Sequence, residues 1–546
     1  MSRQQVPVAV LWGESTFTGA ILKYVHAAPF PPLGAMLYAR WRDVEVLARV
    51  VRVVGENPYL FSYGVQERLA RMAATGSDGI PVGRDIFTIE VRYSYCMRRG
   101  RPDRLPQPLP SGTLFYRAGP QQLRRMGRDT WWLLGEYDGI PEPILAMPFD
   151  ERGFGEAVHI GVFGRSGSGK TVLSAALVFA LMVRGLDGVL VIDPQGEWSA
   201  DRIRGYPFDR ICARLGWRRE RLRPGDFAYR DPALLLEILR LRGVLRDLGF
   251  KTTEKEEAAV RAIAGSGADL TALESWEAFT RTLRRALRHI YADPDRRAEI
   301  EDILRRPGLV TLQAIRQAFE DVAALFRRRP GQVPADALIA RMREPAPAFW
   351  TIQIDPSREE DVLLAAHLML ALRGEALRMW ARGRPANILV VIDEAHWVVP
   401  QETQPGPLGD TIRRAIRELR KAGVGFLLIS QSVADTDKEV IRNLAHFFVG
   451  PGLGLGSDPE ALRAILGGAG MSVYETLPPP GFQGQWPFIS AGRLSPTMGA
   501  GAVAVVSVHA DWEGTLAKNG IPREPDGNHG KPSRMRDRRL IPLMAK

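Results

Sequence analysis

The octapeptide Gly164-Arg165-Ser166-Gly167-Ser168-Gly169-Lys170-Thr171 follows the apolar run Ala157–Phe163 and precedes the apolar stretch Val172–Val183. Strand, glycine-rich turn and helix in that order make a phosphate-binding loop. The glycines let backbone N–H groups turn inward around phosphate oxygens, Lys170 reaches the β- and γ-phosphates, and the Thr171 hydroxyl can ligate Mg2+. The helix N-terminus adds its own positive end. Gly164, Gly167, Ser168, Gly169, Lys170 and Thr171 are therefore expected to bind ATP, with Thr171 also a metal ligand.

Such a loop needs a second set of groups, and Ile388-Leu389-Val390-Val391-Ile392-Asp393-Glu394 supplies it. Five consecutive apolar residues describe a strand buried on both faces, delivering two carboxylates at the sheet edge where open α/β sheets place their ligands. Asp393 would hold Mg2+ through water. Glu394, one residue further on, suits the general base that polarises the attacking water. His396 beside this pair is given no role. Two more apolar runs end in polar groups: Val189–Ile192 leads into Asp193-Pro194-Gln195-Gly196-Glu197-Trp198, and Gly425–Ile429 leads into Ser430-Gln431. Gln431 could hydrogen-bond the γ-phosphate or the attacking water, although an amide is also an ordinary way to end a strand.

The phosphate loop, the Asp193–Trp198 segment, the Asp393-Glu394-Ala395-His396 box and the stretch Arg417–Gly425 leading into Ser430-Gln431 together resemble the HerA branch of the HerA/FtsK-type ATPases. The motif matches span residues 157 to 450. The chain departs from the family at Gln195, where His is usual, and at Trp198, where Tyr is usual. The resemblance implies a RecA-like P-loop core with a small β-barrel at the N-terminus. It also implies a hexameric ring, nucleotide sandwiched between subunits, Glu197 at the nucleotide, and an arginine donated by the neighbour. Arg417 and Arg420 match the positions of such arginines and have no acidic partner within their own motif. The residues alone leave a second reading open, because Arg413, Arg417 and Arg420 fall on one side of a helix from Thr411 to Lys421, as on any solvated face.

Of the 546 residues 45% are hydrophobic, enough for several cores. Cys96 and Cys212 are too far apart for a metal motif, no apolar run reaches the roughly 20 residues of a membrane span, and Met1–Gln5 carry no signal-peptide pattern. A cytoplasmic protein without a membrane anchor is expected. The net charge of +11 favours a polyanionic partner, DNA being the obvious candidate. Lys531, Arg534, Arg536, Arg538, Arg539 and Lys546 concentrate part of that charge at the end and read as a solvated tail.

Five regions are expected. Residues 1–140 alternate in short strands separated by Gly- and Pro-rich turns, as in a small barrel. Residues 141–215 and 346–470 are the two parts of the ATPase core. Between them, 216–345 form a helical insertion, in which Trp276, Phe279, Leu283, Leu287 and Ile290 mark one face and Arg281, Arg284, Arg285 and Arg288 the other. Residues 471–546 are a C-terminal extension. The function this predicts is an ATP-driven hexameric DNA translocase or helicase working with a NurA-type nuclease in DNA end processing. Two alternatives are the ATPase subunit of an antiphage defence complex with a separate effector, and a nucleotide-gated scaffold that moves nothing.

Overall fold

Strand Ile86–Arg98 buries Ile89, Val91 and Tyr93 while exposing Arg92, the two-residue period of a sheet with one wet face. It takes part in a closed antiparallel barrel of six strands, in the order Ala9–Ser15, Leu114–Arg117, Met36–Trp41, Val44–Glu56, Ile86–Arg98, Gly19–Tyr24, with the last pairing back to the first. Closure pairs both edges of each of these six strands, and Arg101–Pro102 adds a short seventh strand to Ile86–Arg98. In this computed structural model the described residues are 6–25, 28–56, 86–127, 131–137, 140–145, 157–266, 269–305, 310–327, 332–401, 407–495 and 503–521. The basic tail 531–546 lies outside them.

The larger sheet has eleven strands. Seven are parallel, in the order Arg218–Leu222, Ala348–Gln353, Gly188–Asp193, Ile388–Ile392, Val424–Ser430, Ile160–Phe163, His446–Val449. The apolar runs explain the middle five. They are covered by helices on both faces, so Val189–Ile192, Ile388–Ile392 and Val424–Ile429 are buried at every position. One strand, Val424–Ser430, stands between the phosphate-loop strand and the strand that ends at Asp393, which is the RecA-like arrangement. The fold is α/β with a RecA-like P-loop core.

Four antiparallel strands extend this sheet: Trp486–Gly492, Val503–Val508, Trp131–Tyr137 and Ile140–Leu145. Thus Trp131–Tyr137 joins the core sheet, and Arg218–Leu222, at the start of the segment read as helical, is its other edge. The helices between them pack into the main apolar core through Phe250, Phe279, Leu283 and Phe319. Helix Trp276–Ile290 is capped by Ser275, whose hydroxyl accepts from the Ala278 N–H at 3.1 Å. Barrel and core are tied by a buried ion pair, both Glu142 oxygens accepting from the Arg49 guanidinium. Burial pushes the Glu142 carboxyl up while Arg49 pulls it down, a contact whose one-sided removal leaves an uncompensated charge.

Candidate active site

Parallel register brings the strand ends together. Phe163 lies beside Ser430 on one side and Val449 on the other, so Gly164 opens the loop at the same edge where Asp393 and Gln431 leave the sheet. Gly167 and Gly169 hold φ of 81° and 90°, conformations that favour glycine, and Lys170 begins the helix Lys170–Arg184. Ser168 is buried beneath the loop. A cavity of about 320 Å3 opens over the loop, and Gly167, Gly169, Lys170, Thr171, Glu197, Asp393, Glu394 and Gln431 all line it.

The charges in this cavity hold one another. Lys170 Nζ donates to the Arg165 carbonyl at 3.2 Å; burial lowers its pKa, and the negative charges of Glu394, Asp393 and Glu197 oppose that. Thr171 Oγ1 donates to Glu197 Oε2 at 3.0 Å, and Arg204 pairs with the other Glu197 oxygen at 2.7 Å. Asp193, fully buried, accepts from the Ser199 N–H and hydroxyl, both at 2.9 Å. Asp393 is pushed up to about 7, first by burial and then by the neighbouring Glu394, Asp193 and Glu197.

Glu394 has a left-handed backbone (φ 47°, ψ 51°), unusual for a non-glycine residue and costing on the order of 1–3 kcal/mol. Its N–H donates to Asp393 Oδ1 at 3.0 Å, which secures the turn. Its Oε1 accepts from two amides, Gln431 Nε2 at 2.9 Å and Gln195 Nε2 at 3.2 Å. His396 Nδ1 stands 3.3 Å from Oε2, a contact that is an ion pair only with a protonated imidazole. The carboxylate is thus fixed from both neighbouring strand ends, across the cavity from Lys170.

The candidate arginines are elsewhere. Helix Pro407–Leu419 runs away from the cavity, and the Arg420 carbonyl accepts from the Ala157 N–H, at the start of the segment leading into the phosphate-loop strand and so at the opposite edge of the sheet. Arg417 does have an acidic partner: Glu439 Oε1 lies 2.9 Å from its Nη1. Arg413 likewise pairs with Asp437 and is partly buried, so this side of the helix is packed against the start of Lys438–Asn443 and is no ordinary wet face. Buried His159 bridges the same region, its ring nitrogens meeting the Ile416 carbonyl at 2.8 Å and the Phe426 N–H at 3.3 Å.

Besides Val172 of the loop helix, Gln195, Arg204 and Trp486 line the cavity without the sequence having singled them out for it. Gln195 follows a recognisable strand end, but its amide meets Glu394 only after folding. Arg204 sits with Gly205 in a tight turn closed by Ile203 and Tyr206 in both directions at 3.0 Å, both central residues having positive φ. Trp486 is over 300 residues from the loop it touches, so no local signal marks it.

Residues 157–306 match the family model described as helicase HerA, central domain. This stretch, which contains the phosphate loop, is therefore similar to the central domain of helicase HerA. No curated protein matches it. Among solved structures it is similar to the genome packaging NTPase B204 of Sulfolobus turreted icosahedral virus 2 in complex with ATP-gammaS (11% identity over 64% of this chain and 97% of that one, TM-score 0.30). It is also similar to VirB4 of Thermoanaerobacter pseudethanolicus (15%, 71% and 98%, 0.38) and to the bacterial conjugative coupling protein TrwBdeltaN70 (15%, 72% and 93%, 0.39). At these values the likenesses say nothing of activity. No helix among the described residues is long and apolar enough to cross a membrane.

Proposed function

We propose that this HerA-type core hydrolyses ATP and uses the energy to translocate along DNA as a homo-hexameric ring, supplying a NurA-type nuclease or another separate effector. The observation that carries the chemistry is the Glu394 carboxylate, held by Gln195 and Gln431 across the cavity from Lys170. In the reaction a water oxygen bonds to the γ-phosphorus, the bond from that phosphorus to the ADP oxygen breaks, and the water proton passes to Glu394. Lys170 and the loop N–H groups bind the phosphates, and the two glutamines orient the base.

The residues fit a divalent cation. Asp393 and Asp193 are buried acids at one edge with Thr171 nearby, and the Asp393 carboxyl is pushed up to about 7, first by burial and then by the surrounding negative charge. Among the described residues no cluster of three or more His, Cys, Asp or Glu could hold a metal alone, so phosphate and water would have to complete the shell. Thr171 and Asp393 would hold Mg2+, which when bound neutralises phosphate charge. The family description as a helicase and the net charge of +11 support DNA as the partner. Two buried free thiols suit a reducing cytoplasm.

Assembly is tested by mixing. Arg420 lies at the far edge from its own cavity, so an arginine completing the site would come from the next subunit. A Lys170→Ala chain and an Arg417→Ala, Arg420→Ala chain, each inactive, should regain hydrolysis when reassembled together, through interfaces pairing an intact pocket with intact arginines. No recovery in rings proven to be mixed would remove the shared site.

A further inference from the structure

We propose that Trp486, from the C-terminal extension, is the platform on which the nucleotide base stacks; the inference rests on the ATP reading of the cavity. Strand Trp486–Gly492 runs antiparallel to His446–Val449, with Ile489 opposite Val449. Val449 in turn sits level with Phe163, the residue before the phosphate loop. Trp486 is three residues beyond Ile489 in the direction of the carboxyl edge, so at about 3.3 Å per residue the strand overshoots that edge by roughly 10 Å. The overshoot carries the indole over the loop. A methyl group on Gly169 would come within 2.3 Å of the Trp486 ring, so the loop and the indole are in direct contact.

The character of the cavity wall then selects the ligand part. Of the side chains that line it, Val172 and Trp486 are the apolar ones; the rest are glycine, hydroxyl, amide or charged. Phosphates are served by Lys170, Thr171 and the loop N–H groups. A flat, π-faced base needs an apolar surface, and Trp486, half-buried with its ring against the cavity, is the large one available. Val172, in the first turn of the loop helix, lines the same cavity. Stacking of this kind accepts any base by its face, so it adds affinity for nucleotides over bare phosphates and favours larger purine rings.

The test uses the full chain with Mg2+ and two probes, ATP and inorganic tripolyphosphate, measured by calorimetry. Trp486→Leu should weaken ATP about 5- to 150-fold, the range that stacking energies convert to, and leave tripolyphosphate affinity unchanged. Trp486→Phe should keep most of the ATP affinity. Equal loss for both probes would make Trp486 a prop for the loop, and no loss for ATP would place the base elsewhere; either overturns the proposal. Should Trp486→Leu fail to fold, the wild-type chain decides: ATP should bind tighter than ribose 5-triphosphate by a similar factor, and equal binding overturns the proposal. Wild-type chain that binds neither ATP nor tripolyphosphate would instead contradict the nucleotide reading itself.

Discussion

The carboxyl edge of the large sheet and the outer face of helix Trp276–Ile290 are both rich in charge, and they treat it in opposite ways. At the sheet edge each charged group is engaged by another: Lys170 by three acids, Glu197 by Thr171 and Arg204, Glu394 by two amides. On the helix Arg281, Arg284, Arg285 and Arg288 are exposed and make no ion pair among the described residues. Engaged, partly buried charges have fixed positions, which catalysis requires. Solvated charges do not, and contribute through the general field of the protein. The difference separates residues whose replacement should stop the chemistry from residues whose replacement should only tune it.

The largest effects are expected at the engaged end. Lys170→Ala removes the phosphate clamp, and steady-state ATP hydrolysis should fall to background. Glu394→Gln keeps the shape and the loop, so ATP binding should survive while the rate drops about 100-fold or more. A Glu394→Gln rate near wild type would shift the base to another carboxylate, with Glu197 next in line.

A smaller effect follows from Asp393. Its carboxyl, pushed up to about 7, is protonated below that value and cannot then serve a cation. Raising the pH from 6 to 8 frees the carboxylate, so Mg2+-nucleotide affinity should rise across that window and binding should release protons near pH 7. Calorimetry in buffers of different ionisation enthalpy measures the release, and Asp393→Asn should abolish its pH dependence. Affinity that is flat from pH 6 to 8 in the wild-type chain would mean that Asp393 is already ionised.

The smallest effects belong to the helix. Replacing Arg281, Arg284, Arg285 and Arg288 together by Gln should change stability by no more than about 0.5 kcal/mol per site and leave basal hydrolysis intact. Thermal melting and ATPase rates read both. A lost basal rate in a folded variant would erase the contrast between the two regions.

What could be read from the chain divides along similar lines. The phosphate loop, the Asp393-Glu394 strand end and Gln431 are each written within ten residues, because a doubly buried parallel strand must be an unbroken apolar run and its ligands must follow immediately. The barrel strand Val44–Glu56 was legible from its recurring valines. The edge strand Arg218–Leu222 was not, since Arg-Arg-Glu-Arg-Leu carries no apolar pattern and is fixed by pairing with Ala348–Gln353. Long-range partners were equally hidden. Arg417 with Glu439 and Trp486 over Gly169 depend on how distant elements meet, for which local spacing holds no information. Gln195 follows the Asp193 strand end within two residues, but its bond to Glu394 emerges only from the fold.

The central claim is that hydrolysis at the engaged edge drives movement on DNA. It is tested most directly by measuring ATP turnover and displacement of a triplex-forming strand from duplex DNA in the same reaction, for the wild-type chain and for Glu394→Gln. The account predicts turnover stimulated by DNA, displacement that requires ATP, and loss of both in Glu394→Gln while ATP still binds. DNA-stimulated turnover without any displacement, by rings shown to be assembled on the duplex, would contradict it and leave a nucleotide-gated scaffold.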